Sequence, residues 1–80
     1  MINDRYKSYL QDLVEMLKDK LEHSFEEVHQ CPDDEKDFVK GKVYALYDTL
    51  DLIRSQAIAF DISLDELTLS NYNLEKFLYK

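Results

Sequence analysis

Val28-His29-Gln30-Cys31-Pro32-Asp33-Asp34-Glu35 is the stretch that decides the fold. Proline disfavours helical geometry in the residue before it, so a helix arriving from the N-terminal side ends near Gln30. Beyond the proline, Asp33 or Asp34 is placed to cap a new helix, with Glu35 and Asp37 in its first turn facing the positive end of the helix dipole. Upstream, Tyr6, Leu10, Leu13, Leu17, Leu21, Phe25 and Val28 recur at steps of three and four, which predicts one face of an amphipathic helix over about residues 3–30. Lys7, Asp12, Glu15, Lys18, Asp19, Glu22 and Glu26 take the rest of its circumference. Downstream, Val39, Val43, Leu46, Leu50, Ile53, Ala57 and Phe60 repeat the rhythm and predict a second helix over about 33–60. Gly41 costs that helix about 1 kcal/mol relative to Ala, which its other turns absorb.

In an antiparallel hairpin, facing residues have sequence numbers with a nearly constant sum. The pairs Val28/Val39, Phe25/Val43, Leu21/Leu46, Leu17/Leu50, Leu13/Ile53, Leu10/Ala57 and Tyr6/Phe60 sum to 66, 67 or 68. The two stripes therefore stay in register along their whole length. The reading is all-α: a long antiparallel helical hairpin, one domain over 1–80.

After Phe60 the period breaks. Ser63 and Glu66 form a capping-box pattern, with Ile62 and Leu67 placed as a hydrophobic staple around it. Leu69-Ser70-Asn71-Tyr72 reads as a loop, and Asn73 as the cap of a last short helix. Leu64, Leu67, Leu69, Leu74, Phe77 and Leu78 make this tail too apolar to hang free. One or two short C-terminal helices are expected to fold back over the open end of the hairpin.

Ile58 to Leu67, where a helix ends and a capping box opens the next, resembles the closing stretch of phage-repressor-type helix-turn-helix domains over about ten residues. Two long helices in the first sixty residues leave no place for the five short helices of that fold. A basic recognition helix is lacking as well, and no family is assigned.

Seventeen acids against ten Lys and Arg give a net charge of −7. That surface opposes phosphate backbones and anionic membranes, so neither nucleic acid nor membrane is an expected partner. The longest stretch without charge, Leu67 to Leu74, is too short to cross a bilayer. Met1-Ile2-Asn3-Asp4-Arg5 has no apolar run of the signal-peptide kind, and the lone Cys31 allows no intrachain disulfide. A cytoplasmic protein is the expectation.

Chemistry-bearing residues are sparse. His23, Glu26, Glu27 and His29 have ligand-like spacing, but the helical period turns them away from the Leu10/Leu17/Val28 face, so they read as a solvated surface and no metal is expected. Cys31 is followed by Asp33, Asp34 and Glu35, poor surroundings for a nucleophilic thiolate. No phosphate loop or nucleophile elbow occurs. No catalytic residue, no cofactor and no enzyme activity is expected.

Two surfaces remain. Glu26, Glu27, Asp33, Asp34, Glu35 and Asp37 gather acids at the turn end, suited to a basic protein partner of an acidic inhibitor, immunity or antitoxin type. On the second helix, Phe38, Gly41, Ala45, Thr49, Leu52, Gln56 and Ala59 form another line, roughly 100° round from the hairpin stripe. A helix apolar over so wide an arc is normally covered from two sides. The expectation is self-association, two hairpins meeting as a two-fold four-helix bundle in a small non-enzymatic interaction or regulatory protein; the competing account is a monomer whose tail lies lengthwise along the groove. Of the tyrosines, Tyr6, Tyr9, Tyr44, Tyr47, Tyr72 and Tyr79, the pair Tyr44 and Tyr47 falls beside the main stripe, where a partner or the tail would cover it.

Overall fold

The structure, a computed structural model, describes residues 4–78. Helix α1 runs Asp4–Val28 and helix α2 runs Lys36–Ala59, joined by a tight connection that contains a 3-10 turn over Asp33–Glu35. Two further 3-10 turns follow, Leu64–Leu67 and Leu74–Leu78. Among the described residues there is no strand, and α1 and α2 pack side by side as the hairpin pattern requires. The molecule measures 47 × 21 × 17 Å. The expected helix starts and ends shift inward by a few residues, and position 3 lies outside the described residues.

The connection works differently from the sequence expectation. Neither Asp33 nor Asp34 caps α2; its N-cap is Glu35, with no side-chain hydrogen bond. The cation one residue further on closes the loop instead. Lys36 Nζ donates to the carbonyls of Val28 at 2.7 Å and Cys31 at 3.4 Å, satisfying acceptors left open at the end of α1. The far end of α2 closes with Ile62 N–H donating to Ala57 O (2.8 Å) and Asp61 N–H to Ile58 O (3.1 Å) around a left-handed Asp61 at φ 59°. The turn Leu64–Leu67 ends in the same way around Thr68, φ 58°, with Leu69 N–H on Leu64 O. Both are Schellman endings, made without the glycine that usually marks them in a sequence. Ser63 does cap, accepting from Asp65 N–H at 3.2 Å.

The core contains Val14, Leu21, Val43, Leu50 and Ala57 from the helices and Leu67, Leu69, Leu74 and Phe77 from the tail. Nearly half of it comes after residue 66. The tail does not stop at the open end of the hairpin, as expected, but runs along the hairpin's length. Gln11 Nε2 donates to Glu66 O (2.8 Å) and Lys18 Nζ to Thr68 O (2.7 Å). Tyr72 then reaches Glu22, and Phe77 meets Phe25 edge-to-face at 5.1 Å, close to the turn end. The first tail turn rests mainly on α1 and the second on α2, so the segment crosses the groove obliquely.

This third wall rotates the burial of α1. Val14, outside the expected stripe, is 1% exposed, while Leu13, Tyr6 and Phe60 from the expected pairs remain exposed. Val14 stands 100° round from Leu13, toward the tail, where two walls cover it. Phe77→Ala should therefore cost about 3–5 kcal/mol, the range of a fully packed aromatic, in urea unfolding followed by circular dichroism. A loss under about 1 kcal/mol would mean that the tail is not part of the core.

Candidate interaction surface

The tail occupies one side of the α1/α2 pair and leaves the other open. All seven residues of the second α2 line, Phe38, Gly41, Ala45, Thr49, Leu52, Gln56 and Ala59, are exposed. Phe38 is 72% and Leu52 61% accessible, high values for large apolar side chains. Across the groove, α1 presents Tyr6, Tyr9, Leu13 and Met16 at steps of three and four, all exposed. This α1 line was not read from the sequence. Tyr6 and Leu13 were counted in the hairpin stripe and Met16 was given no role; the spacing of Tyr9 and Met16 from Tyr6 and Leu13 was the available signal.

Together the two lines make one face. At the open end it holds an apolar cleft of about 320 Å³ between Leu10 and Leu13 on α1 and Leu52, Ile53, Gln56 and Phe60 on the α2 side, floored by Val14 and Ala57 and closed from behind by Ile62 and Leu67 of the tail. Toward the turn a shallower groove of about 510 Å³ lies between Asp19, Lys20, His23 and Ser24 on α1 and Lys42, Ala45 and Leu46 on α2. A Cβ built on Gly41 meets nothing within 4 Å, so the backbone there is open to close approach. Of the ten large apolar side chains most exposed among the described residues, seven lie on this face, and Tyr44, Ile58 and Leu78 lie off it.

The opposite, tail-covered side is polar at its rim and well paired. Tyr72 O–H donates to Glu22 at 2.9 Å, and Lys18 lies 4.8 Å over the Tyr72 ring. Glu22, expected on the solvated circumference, is thus a half-buried acceptor and also faces Lys76 at 3.9 Å. Arg54 Nη2 donates to Asp51 and to Glu75, both at 2.7 Å, and this contact holds the Glu75 carboxyl below its usual range. Lys18 does the same for Glu15 through its hydrogen bond, with Thr68 adding to the effect. Tyr47 is half-buried against the core, and Tyr44 lines a small cleft with Phe77, so the tail covers the side on which these two stand. Tyr79 lies outside the described residues.

The six acids at the turn end come from both helices and the turn between them. Glu27 turns toward the open face and pairs with Lys42 at 3.2 Å, while Glu26 stays on the outside of α1. Asp33, Asp34 and Glu35 occupy the 3-10 turn and Asp37 the first turn of α2, with Lys36 between them. His29 packs edge-to-face on Phe25 at 5.7 Å, and His23 borders the groove. Among the described residues no three His, Cys, Asp or Glu side chains converge on a common point. Cys31 is half-buried, with Sγ 3.8 Å from Val28 O. No helix among the described residues is long and apolar enough to cross a membrane.

Compared with protein-family models, with curated proteins and with solved structures, the chain matches none of them.

Burial and the Glu22 carboxylate push the Tyr72 phenol well above its ordinary value of 10, burial being the larger cause. A raised folded-state value favours the protonated form, so its stabilising contribution is complete below pH 10 and is lost as pH rises beyond it. The unfolding midpoint should fall between pH 9 and pH 11, and fall less steeply in Tyr72→Phe. Parallel slopes for the two proteins would contradict this account of Tyr72.

Proposed function

We propose that this protein works by protein–protein contact rather than catalysis, as a small acidic interaction or regulatory protein, and that it self-associates through the face opposite the tail into a two-fold four-helix bundle. One observation supports the reading above the others: a face of two parallel apolar lines, Tyr6/Tyr9/Leu13/Met16 and Phe38 to Ala59, that the chain's own tail leaves uncovered. Monomeric proteins seldom leave so large a contiguous apolar surface in water.

The dimensions suit a second copy. About 22 residues of each helix at 1.5 Å per residue, two helices about 10 Å wide, give a face of about 650 Å² per copy. Doubled, that enters the lower part of the standard range of about 1,200–2,000 Å² for stable interfaces. Charge agrees. In the groove toward the turn, Lys20 and Lys42 offset Asp19 and Glu27. A second copy meets no net charge in that groove, and a basic partner would find its acids already paired. The helical period places Asp12 and Asp48 at the margins, Asp12 on the same side of α1 as Asp19, so the rim of the face stays acidic.

Light scattering at tens of micromolar protein should give twice the 9.6 kDa chain mass. Leu52→Glu should give a monomer with its helical circular dichroism retained. Ile58→Glu, the same kind of change about 120° round α2, should leave the dimer intact. A monomeric parent protein at these concentrations would refute the proposal.

A further inference from the structure

Resting on that self-association, we infer that the second copy binds antiparallel, open end against turn end, with the two-fold axis crossing α2 beside Thr49. The sizes of the exposed α2 residues set this orientation. Run the line against itself in reverse about Thr49, and Phe38 faces the partner's Ala59, Gly41 the partner's Gln56, and Ala45 the partner's Leu52. Every large side chain meets a small one, and Thr49 meets its own copy. All of these positions are exposed, and the space over Gly41 is open. Run in parallel, the same line sets Phe38 on Phe38 and Leu52 on Leu52, with gaps at Gly41, Ala45 and Ala59. Close packing at an interface core favours the first arrangement.

The α1 line obeys the same dyad. The hairpin register puts Thr49 level with residue 18, so Met16 meets the stem of the partner's Lys20, and Tyr9 comes level with the partner's Glu27. The apolar cleft between Leu13 and Leu52 then lies opposite the groove in which Ser24 and Ala45 stand among Lys20, His23 and Lys42, whose stems cover apolar surface while their polar ends reach the rim. Antiparallel docking also keeps the turn ends apart. In a parallel dimer Asp33, Asp34, Glu35 and Asp37 of both copies would stand side by side, at a cost in repulsion that salt only partly screens.

A size swap tests the pairing. Ala45→Leu should weaken the dimer at least about tenfold in sedimentation equilibrium, because it strikes the partner's Leu52. Adding Leu52→Ala in the same chain should restore affinity to within about threefold of the parent, since each position 45 faces the other copy's position 52. A double variant as weak as the product of the two single effects would overturn the pairing. Orientation is read independently by dipolar spectroscopy with a nitroxide on the native Cys31. At 1.5 Å per residue from the dyad, the two labels should stand about 40 Å apart. A label on Asp34→Cys in a Cys31→Ser background repeats the measurement without touching the end of α1. Separations under about 25 Å from either label would overturn the antiparallel arrangement while leaving the dimer standing. The absence of any dipolar coupling, with a monomer mass, would instead overturn the self-association on which it rests.

Discussion

Two helices of this length cannot enclose a core between them, because each has only one neighbour to bury a face against. Four side chains from beyond residue 66 supply the missing wall: Leu67, Leu69, Leu74 and Phe77, all 5% exposed or less. Their burial fixes the other features. It turns α1 so that Val14 rather than Leu13 points inward, and it recruits Gln11, Lys18 and Glu22 as anchors for tail carbonyls and the Tyr72 hydroxyl. It also makes the hairpin two-sided. One side is sealed by the chain itself; the other keeps its apolar lines in water.

An 80-residue chain buries a modest fraction of its unfolded surface, so an uncovered apolar face is a considerable part of what it has to gain. The position of the tail therefore decides which apolar surface the single chain leaves in water. Were the tail to pack over Leu52 and Ala45, the chain would be a complete small monomer with nothing to offer a partner. Packed over Tyr47, Arg54 and Val43, it leaves the Phe38-to-Ala59 line free along about six turns of helix. Most acids stand at the turn and on the outer flanks, where they promote solubility, while Asp19 and Glu27 border the open face beside Lys20 and Lys42.

The hairpin was legible in the sequence because its signal is periodic and redundant: seven apolar positions on each side of Pro32, in matched register. The second α2 line was legible for the same reason. The course of the tail was not. Its direction depends on two left-handed residues, Asp61 and Thr68, where glycine would have announced the turns. Nor was the cap at the connection visible, since Lys36 closes it from outside the helix it serves, a role no local pattern encodes. Leu13 was assigned inward because sequence alone treats the hairpin as two walls; the third wall moved the centre of burial by one residue. Tyr9 and Met16 went unread because they belong to a face that exists only once the tail has chosen its side.

The claim that most of this account rests on is that the face opposite the tail meets its own copy. Isotope-filtered nuclear Overhauser spectroscopy on an equal mixture of labelled and unlabelled chain tests it at atomic level. The account predicts intermolecular contacts from the Leu52, Ala45 and Met16 methyl groups, with none from Ile58 or Leu78. Intermolecular contacts confined to Ile58, Tyr44 and Leu78, or none at all at millimolar concentration, would contradict it.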